Sequence, residues 1–138
     1  EADPALLGAV AEHMATMLPA GTEVLAGLEL GGVPLATAIS LATGLPAAFV
    51  RKQAKTYGTG RLAEGVDLGG RQVTIIEDVV TRAGQIIESA GELRAIGAVI
   101  TDAVCAVDRE QGGRAALAEH GVALHALFTF DELGATTP

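Results

Sequence analysis

The chain has 138 residues, enough for one compact domain with a substantial core and too few for two ordinary ones. Hydrophobic residues make up 49%, with no Trp, three Phe and one Tyr, so the core must be aliphatic. Seventeen acidic against nine basic residues give a formal charge of −8, which argues against a nucleic-acid or anionic-membrane partner, because either needs a broad basic surface. No apolar run approaches the roughly 20 residues of a membrane span, and Glu1–Ala2–Asp3–Pro4 lacks the cationic start of a secretory signal, so a soluble cytoplasmic protein is expected. The single Cys105 lies in the apolar run Ala103–Val107, as a buried inert thiol would.

In chain order, apolar residues at helical spacing (Leu6, Leu7, Val10, Met14, Met17, Leu18) predict a helix over 4–18, with Asp3 as its N-cap and Pro4 in its first turn. A strand over 23–28, a helix over 33–43 that Gly44 ends, and a strand over 46–50 follow. The stretch 51–70, polar and punctuated by Gly58, Gly60 and Gly65, reads as an exposed excursion too polar for the core. A strand over 72–76 ends in Glu77–Asp78, a helix opens at Gly84 and runs to 95 or 96, and a long buried strand over 98–107 ends at Asp108–Arg109. A helix over 114–120, a last strand over 122–130 and a polar tail over 131–138 complete the chain. This alternation predicts an α/β fold with a mostly parallel central sheet flanked by helices, all of 1–138 forming one domain, with ligands beyond the carboxyl ends of the strands.

Several charged groups fall at those ends. Arg51, Lys52, Lys55 and Arg61 lie within eleven positions and include both lysines of the chain, which suggests a small anion as their target. In Val73–Gln85 a buried strand delivers the adjacent carboxylates Glu77 and Asp78, and the loop after them opens a helix whose unpaired N–H groups suit a phosphate. Two readings stay open on these residues alone: sugar hydroxyls and a sugar phosphate held side by side, or a helix cap and a solvated strand end. His13, His120 and His125 match no ligand spacing, and Arg94 reads as a solvated helix face.

The stretch Ile75–Gln85 resembles the ribose-phosphate signature of type I phosphoribosyltransferases. Three further segments resemble the orotate enzymes of that family: Gly27–Ala36 the loop on the pyrophosphate side, Val50–Gly60 the flexible catalytic loop, and Val107–Gly113 the strand end facing the base. The similarity runs in family order through nearly the whole chain. It implies the type I phosphoribosyltransferase fold and transfer of ribose 5-phosphate from phosphoribosyl pyrophosphate to orotate, with inversion at C1, through a transition state rich in oxocarbenium character. It implies catalytic roles for Lys55, Asp78 and Glu77. Phosphoribosyl pyrophosphate would be bound by Arg51, Lys52, Lys55, Tyr57, Glu77, Asp78, Val79, Val80, Thr81, Arg82, Ala83, Gly84 and Gln85, and orotate by Thr81 and Arg109. Mg²⁺ held mainly by substrate oxygens is implied, without a dedicated protein metal site, as is a homodimer in which the 51–61 loop reaches the neighbouring site. The negative potential of Glu77 and Asp78 would favour the developing ribosyl cation.

The chain departs from the family at four places. Thr81–Arg82–Ala83–Gly84 stands where Thr-Thr-Gly-Gly is usual, Gly31 where many members carry Lys, and Tyr57 where many carry His; the family's N-terminal segment is expected to be missing before Glu1. Ala83 fits the loop if its φ is negative, and Arg82 is expected to point to solvent. Alternatives are transfer to another base, or a non-catalytic regulator that senses phosphoribosyl pyrophosphate on the same scaffold.

Overall fold

The computed structural model describes residues 3–52, 63–64 and 66–135. Helix α1 (Pro4–Thr16) begins where Asp3 Oδ1 accepts from the amides of Ala5 and Leu6, at 2.9 and 3.3 Å, and the ring of Pro4 occupies the first turn, where no N–H is needed. Strand β1 (Val24–Leu28) is buried at every position. It leads into α2 (Gly32–Thr43), which stops at Gly44 with φ 81°, and then into β2 (Ala47–Val50). After the two-residue β3 (Ala63–Glu64) come β4 (Gln72–Val80), α3 (Gly84–Ala95), β5 (Val99–Asp108), α4 (Gly113–Glu119), β6 (Ala123–Thr129) and α5 (Phe130–Ala135).

The strands form one sheet in the order β3-β2-β1-β4-β5-β6. All neighbours pair in parallel except β3, which runs antiparallel to β2 at the edge. From the central pair β1 and β4 the chain winds outward in both directions, so the strand order reverses between them. Beyond the carboxyl ends of such a pair a crevice opens, because the following connections leave towards opposite sides. Here those connections begin at Glu29 and Thr81.

Both sheet faces are covered. Met14 of α1 and Leu35, Ala36 and Ile39 of α2 pack on Leu25, Ile76 and Val104, while Ile86 and Leu93 of α3 and Leu117 of α4 pack on Val24, Ile75, Ala103 and Cys105. Ile75 and Ile76 thus anchor β4 from opposite sides, each fully buried and each contributing about 1.5–3 kcal/mol. The Thr74 hydroxyl, buried with them, pairs with that of Thr22 at 2.8 Å. Burial pushes the Cys105 thiol up to about 12, with the charge of Asp108 adding to it, which fits an inert thiol.

Four expectations need correction. Strand β4 does not stop at Ile76 but carries Glu77 and Asp78 within it, because β5 pairs alongside as far as Val80↔Asp108. The stretch 51–70 is not wholly outside the core, since Leu68 is buried and Val66 packs against the same cluster. The tail after 130 is not all irregular but starts with α5. Arg94 is not a solvated face: its guanidinium donates to the carbonyls of His120 at 2.8 Å and Ile100 at 2.6 Å, fastening the end of α3 to β5 and to the turn before β6. Among the described residues no helix is long and apolar enough to cross a membrane.

Candidate active site

Backbone proximity builds the centre of the crevice. A methyl group placed on Gly31 would overlap the Asp78 carboxylate, and one on Gly32 would overlap the carbonyl of Ile76. Only residues without Cβ let α2 begin this close to β4. Gly31 is the floor on which Asp78 rests. Across the same loop the Glu29 amide donates to Val50 at 2.8 Å, and Glu29 Oε2 accepts from the Lys52 amide at 3.3 Å, fixing where the basic segment leaves β2. Lys52 is exposed and Arg51 half-buried. Lys55 and Tyr57 lie outside the described residues.

The two acidic neighbours are held differently. Asp78 Oδ1 accepts from the Val79 amide at 2.7 Å, and Glu77 Oε1 accepts from the Asp78 amide at 3.0 Å. Burial pushes the Glu77 carboxyl up to about 8, against the opposing pull of the Asp78 amide and the Lys52 charge. Near neutral pH Glu77 therefore carries a proton in the free protein. The two carboxyl groups thus differ: Glu77 in the free protein offers a hydroxyl donor as well as an acceptor.

Beyond β4, Thr81, Arg82 and Gly84 are exposed, and Val79 is 42% exposed while Val80 turns its side chain into the core. Ala83 has φ 67°, so the condition of a negative φ is not met. The left-handed turn aims its methyl inward, where it is buried among core residues, and leaves the mouth of the loop clear. Arg82 is exposed as expected. The first backbone bond of α3 runs from Ile87 to Ala83 at 3.0 Å, so the amides ahead of it face the loop, the usual arrangement for receiving a phosphate. Gln85 donates its side-chain amide to Ser89 at 3.1 Å. Gly113 starts α4 against this loop, since a Cβ there would stand 2.7 Å from the Thr81 carbonyl.

At the end of β5 the buried Asp108 pairs with Arg114 at 3.3 Å rather than with Arg109, and its other oxygen accepts from the Glu110 amide at 2.9 Å. Arg114 also donates to the carbonyl of Leu124. Arg109 donates its amide to Val80 at 2.9 Å, joining the turn after β5 to the end of β4, and its exposed guanidinium lies 5.4 Å from the centre of the Phe130 ring. Neither Arg114 nor Phe130 was singled out in the sequence. Arg114 gives no local signal, but Thr129–x–x–Glu132 has the pattern of a helix start that would have drawn attention to Phe130. A separate cavity of ≈ 380 Å³ beside α4 is lined by Asp108, Glu110, Gly112, Arg114, Ala115 and Ala118, and contains none of the residues expected to bind substrate. Among the described residues no group of three His, Cys, Asp or Glu side chains could hold a metal ion.

The site thus places the start of α3, two unlike carboxyl groups and the root of a basic segment around one strand-order reversal. No protein-family model matches the chain. It is 52% identical over 135 residues to a Nocardioides orotate phosphoribosyltransferase, covering 98% of this chain and 75% of that protein. It is 42% identical over 133 residues to an orotate phosphoribosyltransferase of Methanocella arvoryzae, covering 96% and 76%. In three dimensions it matches the orotate phosphoribosyltransferase of Mycobacterium tuberculosis, solved in complex with phosphoribosyl pyrophosphate, with a TM-score of 0.83 at 27% identity, covering 93% of this chain and 75% of that one. Sequence relationship over nearly its whole length and the shared arrangement of strands agree: the chain has the type I phosphoribosyltransferase fold and belongs to the orotate phosphoribosyltransferase family.

Proposed function

We propose that this chain is a cytoplasmic orotate phosphoribosyltransferase, with 1–138 as its phosphoribosyltransferase domain, transferring ribose 5-phosphate from phosphoribosyl pyrophosphate to orotate. The bond from C1 to the pyrophosphate oxygen breaks, a bond from C1 to a pyrimidine nitrogen forms on the opposite face, and that nitrogen loses its proton. The observation that carries this reading is the meeting of Glu77, Asp78, the start of α3 and Lys52 at the β1–β4 reversal.

In this mechanism the backbone of Thr81–Gln85 receives the 5-phosphate. Asp78 accepts from a ribose hydroxyl and supplies negative charge as C1 becomes cationic, while protonated Glu77 donates to a sugar oxygen and adds no second charge. Arg51, Lys52 and Lys55 neutralise the departing pyrophosphate, and Tyr57 lies in the same segment. Arg109 takes the base carboxylate in its planar fork, beside Thr81. Mg²⁺ would be carried chiefly by substrate oxygens, without a dedicated protein site, and would supply further charge neutralisation at the pyrophosphate. We infer a homodimer in which the 51–61 segment of one subunit serves the other's site.

The test is to incubate the full-length protein with phosphoribosyl pyrophosphate, Mg²⁺ and separately orotate, uracil and purine bases, and to follow pyrophosphate release. Orotate should support turnover and uracil should be rejected strongly, because binding it would strip water from Arg109 without replacing the partner. Arg109→Ala should raise KM for orotate far more than KM for phosphoribosyl pyrophosphate. Preference for uracil or a purine would sink the assignment of the base.

A further inference from the structure

Phe130 is 52% exposed and, like the other two phenylalanines, Phe49 and Phe128, belongs to neither core cluster. Its backbone is nevertheless held tightly. Thr129 and Glu132 cap the start of α5 reciprocally: the Glu132 amide donates to Thr129 Oγ1 at 3.2 Å, and the Thr129 amide and hydroxyl donate to Glu132 Oε1 at 3.1 and 2.9 Å. Between them the Asp131 amide donates to Glu110 Oε1 at 2.8 Å, tying α5 to the turn that carries Arg109. That turn is fixed from its other side by the Arg109 amide on Val80 and the Glu110 amide on Asp108. The ring so placed lies against the Arg109 guanidinium, 5.4 Å from centroid to Cζ.

We infer that Phe130 is a positioning residue for base recognition, holding the Arg109 guanidinium by its ring face so that the in-plane N–H fork is presented to a carboxylate. This rests on the reading that Arg109 receives the carboxylate of the base. An arginine side chain is long and free to rotate, and ordering it at the moment of binding weakens affinity. A ring against one face attracts the cation, restrains its rotation and shields that face from water. It leaves the five N–H donors at the edges unused. The ring does not compete for the hydrogen bonds that a carboxylate needs, as an acidic partner would.

Phe130→Ala, Phe130→Leu and Phe130→Tyr should be compared in the full-length protein, alone and combined with Arg109→Ala. Loss of the ring should raise KM for orotate about fivefold and narrow the discrimination against uracil, while KM for phosphoribosyl pyrophosphate stays constant. Phe130→Leu keeps an apolar side chain without a π face, so it should behave like Phe130→Ala, and Phe130→Tyr should behave like the parent. In the Arg109→Ala background, Phe130→Ala should change nothing further. If Phe130→Leu binds orotate like the parent, or Phe130→Ala raises both KM values equally, the ring acts through packing and the inference is wrong. If Arg109→Ala itself leaves orotate binding intact, the base-recognition reading falls and the role of Phe130 falls with it; a selective Arg109→Ala with a silent Phe130→Ala overturns only the latter.

Discussion

The carboxyl ends of β4 and β5 lie side by side, with Val80 opposite Asp108, and each delivers acidic groups to the same rim of the sheet. At β5 the carboxylate is 2% exposed and satisfied by Arg114 and a backbone amide, so its hydrogen bonds are spent within the protein. At β4 Glu77 is half-buried, its proton held to higher pH by burial, and Asp78 rests on a glycine close to the loop that opens α3. Residue type does not separate a structural acid from a chemical one. The partners that fold around each carboxyl group do, and the assignment can be broken or sharpened by exchanging those partners.

The largest effect on stability is expected at β5. Arg114→Met should destabilise the protein by about 2 kcal/mol in urea unfolding, since it leaves Asp108 charged and buried; the half-exposed Arg114 side chain keeps the figure below that of a fully buried pair. Adding Asp108→Asn should recover part of the loss. A wild-type midpoint for Arg114→Met would mean that the ion pair contributes nothing and that the two strand ends are not so different. At β4 the expected pattern is the reverse: Asp78→Asn should slow transfer at least about tenfold, roughly 1.4 kcal/mol of barrier, with the unfolding midpoint unchanged. Undiminished turnover would reduce Asp78 to a strand-end cap.

Glu77 sharpens the contrast through pH. Its carboxyl is near 4.5 when unfolded and about 8 when folded, so between these values the unfolded chain gives up a proton that the native state keeps. The native state therefore loses stability as pH rises through that window, and the loss levels off above it. Glu77→Gln stays neutral throughout, so its melting temperature relative to the parent should climb from about pH 5 to about pH 8. A constant difference across that range would show that Glu77 titrates normally. The smallest effect belongs to the loop between the two ends: Ala83→Gly relieves about 1 kcal/mol of left-handed strain but removes a buried methyl worth about 0.8 kcal/mol, for a net change within ~0.5 kcal/mol by calorimetry.

The parallel α/β architecture was legible because apolar runs and helical periodicity report burial directly. Features set by distant partners were not. Nothing near Glu77 announces that β5 continues alongside it, so acidic residues there resemble a loop. Arg94 resembles a solvated charge until the carbonyls of Ile100 and His120 arrive from other elements. The two residues of β3 are too few to show a period. Asp131–Pro138 is polar enough to hide α5, although Thr129 and Glu132 carried its start in plain view. The sign of φ at Ala83 depends on the core that receives its methyl.

The contact between Gly31 and Asp78 makes these positions one unit of variation. A side chain at 31 and the carboxylate in its present place exclude each other. Single exchanges at 31 should therefore damage this chain, and the effects of Gly31→Ala and Asp78→Asn should fall short of additive, because the first already displaces what the second removes.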